Sequence, residues 1–216
     1  MQLESLKIMI VPDINDRLKR RKNSPEGYPT LKIRYRDLPH WEIDGAVYFI
    51  TFKTWEKLEL TPSARQIVLD ACLFFQRKRY EIFVLVIMPD HVHMLIQPFP
   101  KEKLKELQPV ETVQSGQAVS LSHKYKYKYK SKQKYWPLSS IMHSIKSYSA
   151  KKIPKVMTHI GKVWQPERYD HIVRNDTELS NFWEYIRQNP VKAELSNTPE
   201  AYPFFWQKTN YDCDRK

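Results

Sequence analysis

Two short groups of residues carry side chains that can do chemistry together. The first is His91-Val92-His93. On an extended strand, residues two apart project from one face, so both imidazoles point the same way and the valine points into the opposite layer. Two imidazoles on one face are half a site for a divalent metal. A bare pair of this kind is usually incidental. This one follows an almost wholly apolar stretch and the turn-forming Pro89-Asp90. Burying each ring without a partner would cost about 1–3 kcal/mol, which favours a ligand or a hydrogen-bond network. The second group is Tyr185 and Asn189, four residues apart in a segment of helical pattern. That spacing puts a phenol and an amide on one helix face. A phenol can act as a nucleophile, and an amide oxygen suits a hard cation such as Mg²⁺ or Mn²⁺. A plainer reading makes Tyr185 a packing aromatic and Asn189 the residue that ends the helix before Pro190. Gln188 is a competing amide, slightly rotated around the helix.

These groups need elements to hold them. Ala46–Phe52 is β-branched and aromatic and reads as a strand. Thr61-Pro62 opens a helix, with Thr as N-cap and Pro at the first helical position. Ala64, Ile67, Val68, Ala71, Phe74 and Phe75 continue it at three- and four-residue steps. Tyr80–Met88 is a nearly all-apolar strand, and His91–Gln97 pairs with it as an antiparallel hairpin at the centre of a sheet. Leu138–Lys152 is a helix with Ile141, Met142, Ile145 and Tyr148 on an apolar stripe, ended by Pro154. Val163–Val173 is extended. Asp176 or Thr177 caps a last helix, Glu178 to Asn189, stopped by Pro190. In the tail, Tyr202, Phe204, Phe205 and Trp206 are expected to fold back. The order predicts an α+β fold: a ferredoxin-like (RRM-like) antiparallel sheet with helices on one face, plus an additional C-terminal tyrosine-bearing helix.

Three regions follow. Residues 1–44 form a basic N-terminal arm that includes Arg17-Leu18-Lys19-Arg20-Arg21-Lys22. Residues 45–195 form the domain, interrupted at 101–134 by a flexible insertion with alternating Lys and Tyr, Lys124 to Lys130. Residues 196–216 form the C-terminal tail. With 41% hydrophobic residues among 216, the chain can bury a core and is not disordered throughout. A formal net charge of +12 suits a polyanion, whether nucleic acid or an acidic membrane surface. Cys72 and Cys213 form neither a zinc cluster nor a disulfide framework, and Cys72 reads as core. Ile8–Val11 is too short for a signal peptide, and no apolar run approaches a membrane span. The expectation is a cytoplasmic protein.

Met88-Pro89-Asp90-His91-Val92-His93-Met94-Leu95 resembles the His-hydrophobic-His motif of the single-tyrosine (HUH) transposases. Tyr185-Ile186-Arg187-Gln188-Asn189-Pro190-Val191-Lys192-Ala193 resembles the catalytic-tyrosine helix of their REP-associated branch. Ser144–Lys152, Val163–His171 and Leu38-Pro39-His40-Trp41 also look like segments of that family. The likeness runs from about Leu38 to Leu195. The 101–134 insertion is longer than the usual connection, and Glu194 stands where glycine is commoner.

The resemblance implies a metal-dependent single-tyrosine DNA transposase or endonuclease. His91 and His93 would bind one divalent metal, Mg²⁺ or Mn²⁺, with Asn189 as third ligand. Tyr185 would be the nucleophile, forming a 5′-phosphotyrosine and releasing a 3′-hydroxyl. The substrate class is single-stranded DNA, often with a hairpin beside the cut. Lys146, Lys151, Lys152 and Arg168 are candidate phosphate contacts, and Tyr148 is a rival nucleophile better explained by packing. A monomer is expected, with a homodimer as the alternative. Two competing readings stand beside this one: a non-catalytic single-stranded nucleic-acid-binding module, and a metal-dependent nuclease whose nucleophile is water.

Overall fold

The computed structural model describes residues 31–35, 39–101 and 135–208, with side chains from Glu42 onward. Residues 102–134 of the Lys/Tyr-rich insertion, the Arg17–Lys22 charge run and Cys213 lie outside the described residues. The chain forms β1 (Leu31–Tyr35), β2 (Pro39–Ile43), β3 (Tyr48–Lys53), α1 (Pro62–Leu73), β4 (Tyr80–Ile87), β5 (His91–Pro98), α2 (Leu138–Lys152), β6 (Tyr169–Ile172), α3 (Asp176–Lys192) and β7 (Phe205–Gln207). β1 and β2 pair with each other. The other five strands form one antiparallel sheet in the order β6-β3-β5-β4-β7. The fold is α+β, as the order of elements predicts, and β5 is its central strand.

Each strand's composition follows from what covers it. From Ile82 onward β4 is apolar because both of its faces are packed, and Ile82 to Ile87 are buried. On one face lie α1 and α2. Tyr80, at the start of β4, donates its hydroxyl to the Cys72 carbonyl at 2.8 Å, and burial pushes both the Tyr80 phenol and the Cys72 thiol upward in pKa. Phe52, opposite Val92 in the ladder, meets Trp164 edge-on, and the Trp164 indole donates to Ser149 of α2 at 3.0 Å. Cys72 is fully buried, as expected. The other face carries α3, described below.

The hairpin that presents His91 is fixed from outside. Met88 N–H donates to the His91 carbonyl at 2.8 Å. Thr54 N–H reaches the Asp90 carbonyl at 2.8 Å, and Leu60 N–H reaches the Pro89 carbonyl at 2.7 Å. Pro89 cannot donate to a ladder, so the segment after β3 supplies the donors that hold the Pro-Asp turn.

Several boundaries differ from the sequence reading. Residues 31–43 hold two paired strands rather than a plain arm. Within Val163–Val173 only Tyr169–Ile172 is a strand, joined by an isolated bridge from Trp164 to Thr54. Asn175, not Asp176 or Thr177, caps α3: its side-chain oxygen accepts from Glu178 N–H at 2.8 Å. Pro190 does not stop that helix. It lies buried inside the last turn, where loss of one N–H is offset by packing, and the helix runs on to Lys192. The tail does fold back, and more regularly than expected. Phe205–Gln207 adds a seventh strand on β4, and Tyr202 donates to the Ile87 carbonyl at 2.8 Å while accepting from Arg65 at 2.8 Å. Tyr148 is not a packing residue: it is about half exposed, with Lys152 over its ring.

α3 ends in two reversed hydrogen bonds, Leu195 N–H to the Pro190 carbonyl at 2.9 Å and Glu194 N–H to the Val191 carbonyl at 3.0 Å. This is a Schellman closure, and it requires a left-handed residue, here Glu194 at φ 56°. A β-carbon costs energy in that conformation. Glu194→Gly is therefore expected to raise the unfolding free energy by about 0.5–1 kcal/mol, the relief of strain exceeding the added freedom of the unfolded chain. Urea titration checks this, and a destabilised variant would refute it.

Candidate active site

The ladder register decides which side chains meet. β3 against β5 pairs Thr51 with His93 and Phe49 with Leu95, and β3 against β6 pairs Phe49 with His171. Paired residues share a face. His91, His93, Thr51, Phe49 and His171 therefore stand on one side of the sheet, and α3 crosses that side. Its start is tied to β6 through His171 Nε2 and Glu178 Oε2 at 3.2 Å. In its middle the Phe182 ring stacks on Phe49 at 4.4 Å between centroids. Towards its end Arg187 donates to Gln207 of β7 at 2.7 Å. A helix anchored on both sheet edges and in the centre has one available orientation.

That orientation brings Tyr185 to the histidine pair. Its ring lies edge-on to His93 at 5.1 Å and edge-on to Phe49 at 5.8 Å. The residue is still 44% exposed, and its hydroxyl has no hydrogen-bond partner among the described residues. The His91 and His93 rings are 4.7 Å apart. Asn189, one turn beyond Tyr185, is half-buried and lies within 3.4 Å of the Tyr185 carbonyl through its Nδ2. Gln188, the rival amide, is turned to Glu184 of its own helix at 2.8 Å.

Both imidazoles are held by the same ring atom. The Asp90 carboxylate accepts from His91 Nδ1 at 2.5 Å. Thr51 Oγ1 meets His93 Nδ1 at 2.7 Å. A carboxylate can only accept, so His91 carries its proton on Nδ1 and turns the Nε2 lone pair outward. Hydrogen bonds of this kind orient metal-ligating histidines. No cluster of three His, Cys, Asp or Glu side chains exists among the described residues. Asn189 offers an amide oxygen, a donor of another type, one helical turn beyond Tyr185.

His93 is 5% exposed, and burial pushes its pKa down to about 3, with the neighbouring His91 and Lys53 adding to the effect. A neutral imidazole is the form that binds a metal.

The four candidate phosphate contacts divide. Lys146 donates to the carbonyls of Gln165 at 2.5 Å and Pro166 at 3.2 Å. Arg168 is largely buried and paired with Asp170 at 3.1 Å. Both position the chain leading into β6. Lys151 and Lys152 are exposed at the end of α2. The sequence reading missed Asp90, Thr51 and Phe49 as site components. Asp90 adjoins His91 and was legible in principle, whereas Thr51 and Phe49 are recruited by register alone.

No family model matches the chain. An uncharacterised Haemophilus influenzae protein is 28% identical over 122 residues, covering 56% of this chain and 59% of that protein. A second Haemophilus influenzae protein, provisionally described as a REP-associated tyrosine transposase, is 22% identical over 134 residues, covering 58% of this chain and 57% of its own length. The chain thus spans less than two thirds of either relative. A solved REP-associated tyrosine transposase bound to a REP hairpin superposes with a TM-score of 0.52 at 21% identity, covering 80% of this chain and 81% of that one. The likeness to the solved structure is one of fold. Both chains fold as an antiparallel sheet with helices. Among the described residues no helix is long and apolar enough to cross a membrane.

The depressed His93 pKa has a direct consequence. Between about pH 3 and pH 6.5 the folded chain binds fewer protons at this ring than the unfolded chain. The associated stability is complete above about pH 6.5 and declines as pH falls towards 3. In metal-free protein at pH 5, nitrogen NMR is expected to show His93 neutral. A His93 signal titrating near 6.5 would contradict the geometry.

Proposed function

We propose that the protein cleaves and rejoins single-stranded DNA through Tyr185. The observation that carries this reading is the placement of an exposed phenol at 5.1 Å, ring to ring, from a histidine whose Nδ1 is already engaged. In the reaction the Tyr185 phenol gives its proton to water and its oxygen bonds to phosphorus while the bond to the 3′ oxygen breaks. The leaving oxygen takes a proton from water and becomes a 3′-hydroxyl, and the 5′ strand stays on the tyrosine. The new linkage is itself a phosphodiester ester, so attack by another 3′-hydroxyl reverses the step without an external energy source. That makes one site sufficient for cleavage and strand transfer.

Tyr185 needs help, because an unperturbed phenol has a pKa of about 10. His91 and His93 through Nε2, and Asn189 through its amide oxygen, would hold one divalent cation, Mg²⁺ or Mn²⁺. Such an ion supplies positive charge to a phosphodiester oxygen and favours the phenolate. The residues do the positioning. Asp90 and Thr51 fix the two rings, and the Phe49–Phe182 stack fixes the helix that carries the nucleophile. Exposed Lys151 and Lys152 would contact DNA phosphates, whereas Lys146 and Arg168 serve the fold. The net charge of +12 favours such a partner.

The test uses single-stranded oligonucleotides that each carry a hairpin beside a randomised segment, incubated with the full chain and Mn²⁺. A denaturation-resistant adduct is expected. It should vanish in Tyr185→Phe and fall by about 100-fold or more in His91→Ala. Cleavage that persists in Tyr185→Phe would establish a water nucleophile instead, and binding without cleavage would establish a binding module. In a separate measurement, Asp90→Asn should weaken Mn²⁺ binding, read by electron paramagnetic resonance, by about 10–100-fold. Unchanged affinity would remove Asp90 from the orienting role.

A further inference from the structure

Lys53 stands directly opposite His91 in the β3–β5 ladder, two pairs beyond Thr51 and His93 and so on the same face. Opposed residues of an antiparallel pair share a face, with β-carbons about 4.5–5.5 Å apart. The Lys53 side chain therefore rises beside the histidine pair, on the side of the sheet that α3 crosses, and it is exposed. Its backbone is clamped. The Lys53 carbonyl accepts from Gln165 N–H at 3.0 Å, and the next residue, Thr54, donates its N–H to the Asp90 carbonyl at 2.8 Å. A fixed base with a free head is the arrangement expected of a side chain that reaches for a ligand.

The Lys53 side chain ends in an ammonium, three donors on one formal positive charge. That charge is uncompensated, because no carboxylate pairs with it among the described residues. The adjacent carboxylate, Asp90, is engaged by His91 Nδ1 at 2.5 Å. Other cations near the site have internal partners. Lys146 holds two carbonyls, Arg168 holds Asp170, and Arg187 holds Glu200 at 2.7 Å. Lys162 lies over the Trp55 ring at 4.7 Å. Lys53 thus differs from these in having charge left for an anion.

We propose that the Lys53 ammonium binds a non-bridging oxygen of the phosphate attacked by Tyr185. The proposal rests on the reading of Tyr185 as nucleophile. As the Tyr185 oxygen joins phosphorus and the electron pair of the breaking bond leaves on the 3′ oxygen, negative charge gathers on the non-bridging oxygens. A positioned cation stabilises that charge more than it stabilises the ground state. Lysine, a compact charge on a flexible stem, suits one oxygen rather than a bidentate grip.

The experiment compares wild type, Lys53→Gln and Lys53→Arg on a hairpin oligonucleotide recovered as a wild-type adduct. Lys53→Gln is expected to slow adduct formation about 100-fold, with Lys53→Arg restoring most of the rate. Mn²⁺ affinity without DNA should match wild type in both variants. Adduct formation by Lys53→Gln at the wild-type rate overturns the role of Lys53 and leaves Tyr185 untouched. A loss of Mn²⁺ affinity in Lys53→Gln that parallels its loss of rate also overturns it, because the lysine would then act through the histidines. A wild-type protein that forms no adduct with any oligonucleotide overturns both readings together.

Discussion

The site depends on one packing interaction, the stack of Phe182 on Phe49. Phe49 is buried in β3, two residues before Thr51, and it also meets the rings of His93 and Tyr185. It therefore acts as a common anvil for the helix, the nucleophile candidate and one metal-ligand candidate. Aromatic pairs in this geometry add about 0.5–1.5 kcal/mol beyond the area they bury. Their larger effect is directional. With Glu178 tied to His171 at one end and Arg187 tied to Gln207 at the other, α3 cannot rotate Tyr185 away from the sheet without breaking all three contacts.

A second constraint is hydrogen-bonding geometry on the sheet itself. Two imidazoles among apolar neighbours would be a liability if left unpartnered. Asp90 and Thr51 remove half of that cost by taking the Nδ1 positions, and in doing so they aim both rings. Burial then keeps His93 neutral over the physiological range. Stability and chemical readiness come from the same two bonds. The Pro-Asp turn before His91 serves both ends of this arrangement. Its carbonyls are held by Thr54 and Leu60, and its carboxylate holds His91.

Much of the fold was legible because its periodicities are strong. The β4–β5 hairpin, the Thr61-Pro62 helix start and the whole of α2 follow from apolar spacing and turn chemistry in the chain. Pro190 misled because its propensity against helix is local, whereas its buried position in the last turn of α3 is set by tertiary packing. β7 was illegible as a strand because three residues carry no period, and its pairing is created by β4. Lys146 and Arg168 read as candidate phosphate contacts because sequence does not reveal the carbonyls and the Asp170 carboxylate that engage them.

The sequence by itself determined that His91 and His93 share a strand face and that Tyr185 and Asn189 share a helix face, since both follow from backbone periods of two and 3.6 residues. It determined the net charge and the apolar strand that makes two histidines conspicuous. Only the tertiary structure decided that these two faces meet. That juxtaposition depends on the register of three strands and on how one helix is pinned across them, and both are set by contacts between residues far apart in the chain. Phe49 and Phe182 lie 133 positions apart by subtraction of their numbers, yet their rings stack at 4.4 Å. No local pattern encodes such a contact, because its energy exists only after the sheet has formed.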